Sequence, residues 1–149
     1  MSKRHFDYLV LGLGGAGSAA LYHLARRGLH VAGLDRFPIA HDRGSSHGHT
    51  RLIRQSYFEH PSYVPLVQRA FELWEQVSED HGRDVYYETG IVEAGPEEGE
   101  LVPGVLASAA EHGLEVEHLT REQAAQRWPQ FSFAPEHSVI YEQRAGFLL

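Results

Sequence analysis

Apolar and polar positions along this chain change period several times, and each change predicts an element. Tyr8–Leu11 is an apolar, β-leaning run that stops at Gly12. From Ala16 the apolar positions take helical spacing, with Ala20, Leu21 and Leu24 on one side. Arg26 and Arg27 fall in the last turn, and Gly28 follows as a natural stop. A second short strand, His30–Leu34, ends on an acid, Asp35.

Beyond it lies a polar, turn-rich loop, Arg36–His49, punctuated by Pro38, Gly44 and Gly48. Thr50 is placed to cap a short helix, Arg51–Gln55. A firmer helix follows Pro61-Ser62, where Val67, Ala70, Phe71, Trp74 and Val77 recur at one face; that stripe reads as core. Val85–Glu88, Thr89-Gly90 and Ile91–Ala94 read as a hairpin. Pro103 suits the first turn of a helix running to His112, which Gly113 ends, although Gly104 weakens it. A strand at Leu114–Leu119 leads to a capping box, Thr120-x-x-Gln123, opening the helix Arg121–Trp128 that Pro129 stops. Ser138–Glu142 reads as another strand.

The first three elements carry the most specific chemistry. Gly12-x-Gly14-x-x-Gly17 sits between a strand and a helix. Gly12 permits the tight turn, Gly14 lets backbone approach a pyrophosphate, and Gly17 lets helix and strand pack closely. Gly15 and Ala16 open the helix, whose free N–H groups and dipole favour phosphate. Asp35 stands where a carboxylate can accept hydrogen bonds from a ribose hydroxyl. A glycine motif alone is weak, but this one has the strand, the helix and the acid in order. The pattern predicts a dinucleotide-binding βαβ start.

Composition narrows the field. At 149 residues the chain can bury a core, and 13 basic against 20 acidic residues argue against a nucleic-acid partner. With no cysteine, neither disulfide nor thiolate chemistry is available, which fits a cytoplasmic setting. Lys3 and Arg4 precede an uncharged run, Tyr8–Ala25, that imitates a signal peptide or membrane span. Asp7, four glycines and the change of period within the run favour βαβ instead, so no membrane association is expected.

A second constellation lies in Arg43–Tyr63, which concentrates His47, His49, Arg51, Arg54, Tyr57 and Tyr63. On a helix capped by Thr50, Arg51 and Arg54 would be neighbours on one face, near a helix end that disfavours cations. An anion nearby would offset that cost, and a guanidinium fork suits a carboxylate. Two solvated surface arginines are the plain alternative. His41, His47 and His49 lack an acid or cysteine at ligand spacing, so no metal is expected. A Ser45/Ser46–His47 nucleophile lacks a third partner.

With these residues in view, the chain resembles the N-terminal part of the monomeric sarcosine oxidase and N-methyltryptophan oxidase family of FAD-dependent amine oxidases. The likeness runs from FDYLVLGLGGAGSAALYHLARRG through LDRF, GSSHGHTRLIRQSYFEHPSYVPL, ETGIVEAGP and QRWP to YEQRAGFL. It implies that Gly12, Gly14, Gly15, Ala16, Gly17 and Asp35 hold the ADP half of FAD. Arg36, Ser45, His47, Thr50 and Arg51 would lie along the cofactor, with Arg51 near the flavin ring. Arg54 would bind the substrate carboxylate and Tyr57 would line the substrate pocket, making Arg51, Arg54 and Tyr57 the candidate catalytic residues. His49 departs from the acidic residue expected there. The implied reaction oxidises the C–N bond of an N-methyl or secondary amino acid, with O2 reduced to H2O2, in a protein monomeric at full length. The family's flavin-linking cysteine and oxygen-activating lysines lie downstream of the region matched.

The implied architecture is α/β: a Rossmann-like FAD-binding βαβ start over residues 1–86, then the beginning of an interleaved α+β substrate domain over 87–149. The fold reads as incomplete, because only two strands are of the parallel kind and the chain stops on an apolar run, so activity of this chain alone is not expected. An NAD-dependent dehydrogenase shares the βαβ start, and Arg36 would even suit a 2′-phosphate. A non-catalytic fragment is the third possibility.

Overall fold

A computed structural model describes residues 5–149, so Lys3 and Arg4 lie outside the described residues. The chain divides into two compact units, one ending at His49 and one beginning at Thr50.

The first unit is a βαβ. Strand β1 (Tyr8–Leu11), helix α1 (Gly15–Arg26) and strand β2 (Val31–Leu34) follow the expected order. The strands pair in parallel, from Tyr8 opposite Val31 to Leu11 opposite Leu34. Gly28 takes φ 75° just past the Arg27 cap, the left-handed stop that its position predicts. Helix and sheet meet closely: a Cβ on Gly17 would lie 1.8 Å from the Gly12 carbonyl oxygen. No described residue of this unit is buried.

The second unit holds two antiparallel three-stranded sheets. One has the order β3 (Arg51–Ile53), β8 (Gly146–Leu148), β4 (Tyr86–Glu88); the other is β5 (Ile91–Pro96), β7 (His137–Glu142), β6 (Glu117–Leu119). A single 3-10 turn, Pro61–Tyr63, leads into α2 (Val64–His81), and α3 (Leu101–His112) and α4 (Arg121–Arg127) follow. The α2 stripe is core as expected: Phe71 is fully buried against Ile53 and Leu148, with Val67 and Trp74 packed around them. On α3, Val102 and Val105 bury with Ile140 of β7. The capping box at α4 forms in both directions between Thr120 and Gln123.

Two expectations fail here. Arg51–Ile53 is a strand, not the start of a helix, because Gly146–Leu148 pairs with it across the chain and tertiary pairing outweighs a weak capping signal. The hairpin at Val85–Ala94 does not form either. Its arms join different sheets, β4 to β8 and β5 to β7. The amides of Thr89 and Gly90 donate instead to the Ala145 carbonyl, at 3.1 and 2.9 Å. The chain thus crosses between sheets at two points, and one carbonyl ties them together.

Candidate functional site

The turn between β1 and α1 is built from backbone. Gly12 takes φ 88°, a conformation that L side chains rarely adopt, and its amide bonds the Leu34 carbonyl at 2.7 Å. Gly14 has an ordinary φ of −67°, and a Cβ there would meet nothing within 4 Å. Neither backbone strain nor packing within the chain therefore calls for glycine at 14. What remains is room for something brought close to the turn. Gly14 has no side chain to cap α1 and no acid stands in its first turn. The group that meets the Gly15 amide is a neutral hydroxyl, Ser46 Oγ, so the positive helix end still favours an anion.

Asp35 closes the site. Its carboxylate accepts the Leu13 amide at 2.5 Å and the Phe37 amide at 3.0 Å, and His41 Nε2 lies 3.5 Å away. These two amides, first Leu13 and then Phe37, hold the Asp35 carboxyl below the usual carboxylate range. His41 Nδ1 accepts the Arg43 amide at 2.9 Å, so in the neutral ring Nε2 carries the proton and faces the carboxylate. A carboxylate has about four acceptor positions, so capacity is left for a ligand hydroxyl.

Gly12, Gly14, Gly15, Ala16, Gly17, Asp35, Arg36 and Ser45 all line one cavity of about 870 Å³, within the usual size range for cofactor sites. His47 is not among them; its Nδ1 is bonded to the Gly44 carbonyl. Sequence reasoning weighed Ser46 only as a nucleophile beside His47; its Oγ accepts the Gly15 amide at 3.3 Å instead.

Thr50, Arg51, Arg54 and Tyr57 belong to the second unit. Arg51 is exposed, and its Nη1 donates to the Thr50 carbonyl at 2.8 Å. The expected helical pairing of Arg51 with Arg54 is absent, because extended backbone sends positions three apart to opposite sides. Arg54, by contrast, is only 15% exposed. Its Nη2 lies 3.4 Å from Glu59, and its Nε lies 3.3 Å from Glu93. The guanidinium stacks over Tyr57, 4.6 Å from the ring centre, and Phe58. Neither Arg54 Nε nor Glu93 Oε2 completes a hydrogen bond. Burial pushes the Glu93 carboxyl up, and the Arg54 charge pulls against it. One guanidinium, two acids and an aromatic face therefore converge, with donor capacity unspent.

Among the described residues no group of three or more His, Asp or Glu is placed to hold a metal, and no helix is long and apolar enough to cross a membrane.

Residues 7–148 match the family model described as FAD dependent oxidoreductase. The chain is 43% identical over 143 residues to monomeric sarcosine oxidase of Streptomyces avermitilis, covering 96% of this chain and 37% of that protein. It is 36% identical to N-methyl-L-tryptophan oxidase of Yersinia pestis, covering 96% and 38%. In fold it is similar to NikD, an amino acid oxidase of nikkomycin biosynthesis, with TM-score 0.79, 22% identity and coverage of 96% and 37%. The L-proline dehydrogenase of P. horikoshii gives TM-score 0.76 at 22% identity, with coverage of 96% and 38%. The chain thus spans little more than a third of the length of these relatives.

Proposed function

The chain belongs to the FAD dependent oxidoreductase family, and we propose on that premise that it supplies the cofactor-binding start of an oxidase acting on N-methyl or secondary amino acids. The observation that carries this is the turn at Gly14, which is open to close approach, stands at a helix end without an acid in its first turn and shares its cavity with the Asp35 carboxylate. These residues fit FAD. Asp35 would accept from a ribose hydroxyl, the α1 amides would hold pyrophosphate, and Arg36, Ser45, His47, Thr50 and Arg51 would complete the binding segment. Bound there, FAD supplies a hydride acceptor that passes electrons on to O2, giving H2O2.

The chain's own residues then have three tasks. Arg54 binds the substrate carboxylate, and its placement over Tyr57 keeps its fork out of bulk water. Glu59 and Glu93 hold that guanidinium ready, and its unspent N–H donors are left for a substrate carboxylate. Tyr57 walls the space beside it. Residues 1–86 serve the cofactor and 87–149 begin the substrate portion; the change of sheet at Thr89-Gly90 supports that division. The return of Gly146–Leu148 to the first sheet supports its interleaving. A net charge of −7 argues against nucleic-acid partners and the lack of cysteine suits a cytoplasmic setting; that the full-length protein is monomeric is taken from the likeness to the oxidase family. Turnover by these 149 residues alone is not expected.

In the natural protein carrying this chain, bound flavin and peroxide release from sarcosine or another N-methyl amino acid are expected. A colourless protein that binds NAD and refuses flavin overturns the reading. Arg54→Ala should raise the substrate KM about tenfold or more with flavin retained. Loss of flavin at unchanged KM would show that Arg54 serves the cofactor instead.

A further inference from the structure

The segment Arg54–Glu59 has no regular structure of its own, yet it is held from two sides, by β7 and by α3. Glu142, at the end of β7, is 2% exposed, and its two carboxylate oxygens take the amides of Gln55 and Ser56 at 2.7 and 2.9 Å. Ser108 of α3 donates its hydroxyl to the Tyr57 carbonyl. Gly104 of α3 lies so near that a Cβ would sit 2.2 Å from the Phe58 carbonyl oxygen. Gln55 and Ser56 are themselves buried, so their amides need acceptors inside the protein. A carboxylate is the one side chain that can accept two adjacent N–H groups with full charge and no donor of its own.

We propose that Glu142 is the positioning residue for substrate recognition: by chelating the Gln55 and Ser56 amides it fixes the backbone between Arg54 and Tyr57. Ser108 and Gly104 set the far side of the same segment. The inference rests on the reading of Arg54 and Tyr57 as substrate-binding groups. It explains why a carboxylate stands where an apolar residue would leave two buried amides without an acceptor. It also explains Gly104, which weakens α3 as a helix but lets it approach the loop. Position, not charge, is the claim. Glu142 also pushes the Glu93 carboxyl up electrostatically, so removing its charge leaves Glu93 more fully ionised and more firmly paired with Arg54. Misplacing the loop differs in also accelerating exchange of the Gln55 and Ser56 amides.

The test is Glu142→Gln in the natural, flavin-loaded protein. The amide has one acceptor oxygen and turns an NH2 group toward a backbone N–H. KM for the amino-acid substrate should rise about tenfold or more while kcat and flavin absorbance stay within about twofold. Amide exchange should accelerate at Gln55 and Ser56 but not in the α2 core. An unchanged or lowered KM overturns the proposal, as does exchange that accelerates throughout the unit with kcat falling in step. Should the unsubstituted protein oxidise no amino acid, the oxidase reading fails separately. Exchange at Gln55 and Ser56 then decides the clamp: unchanged rates refute it, faster rates support it. If the Gln variant does not fold, Ser108→Ala removes the other tether and must raise KM in the same selective way.

Discussion

The unit ending at His49 and the unit beginning at Thr50 are held together by different means. In the first, order comes from backbone: a left-handed Gly12, the contact between Gly17 and Gly12, and two amides on Asp35. None of its described residues is buried. In the second, Phe71, Ile140, Val64, Val102, Val105 and Val139 are fully buried, and polar clamps such as Glu142 to Gln55 join residues 87 positions apart. The first unit is thus specified by neighbours in sequence and offers its polar groups outward. The second has the apolar burial that stabilises folds, and uses it to hold a loop in place.

The largest effect that tests this contrast is expected in the second unit. Phe71→Ala removes a fully buried ring between Ile53, Leu148 and Tyr86, and should cost about 3–5 kcal/mol in chemical denaturation. A loss below about 1 kcal/mol would mean that this core does not carry the unit. Next comes Gly17→Ala. Its methyl would meet a backbone oxygen that no rotamer change can move, so strain of about 1–3 kcal/mol is expected. It should be read as weakened flavin retention, with denaturation of the second unit unaltered. Normal flavin content in that variant would break the account of the turn. The smallest effect concerns Asp35. A carboxyl held below its usual range contributes fully above about pH 4 and loses its contribution as pH falls through the lowered value. Flavin retention should therefore weaken on acidification, and Asp35→Asn should remove that part of the pH dependence. A variant with the unaltered acid profile would assign it to another group.

The same contrast explains what could be read in advance. Strand, turn, helix and acid in the first unit follow from residues within 23 positions of Gly12. Several residues singled out there, among them Gly12, Gly14, Asp35 and Ser45, line one cavity together with others that the sequence did not mark, such as Leu13 and Phe37. The capping box at Thr120 is similarly local and formed as expected. Arg51–Ile53 misled because its partner strand begins at Gly146, far along the chain. The hairpin misled for the same reason, since β7 and β8 supply better partners than the arms supply each other. The place of Ser46 was not foreseen because loop geometry, not residue type, turns its hydroxyl to the Gly15 amide.

Sequence alone determined the dinucleotide turn, its acid, the amphipathic stripe of α2 and the kinship to flavin-dependent amine oxidases. These rest on backbone conformation and short spacing, which travel with the residues themselves. Only the tertiary structure decided that Arg54 is clasped by Glu59 and Glu93, and that Glu142 and Ser108 hold the loop beside it. Apart from the Arg54–Glu59 pair, five residues apart, those contacts join distant stretches of chain, and long-range pairing is selected by the free energy of the whole packed unit rather than by any local preference.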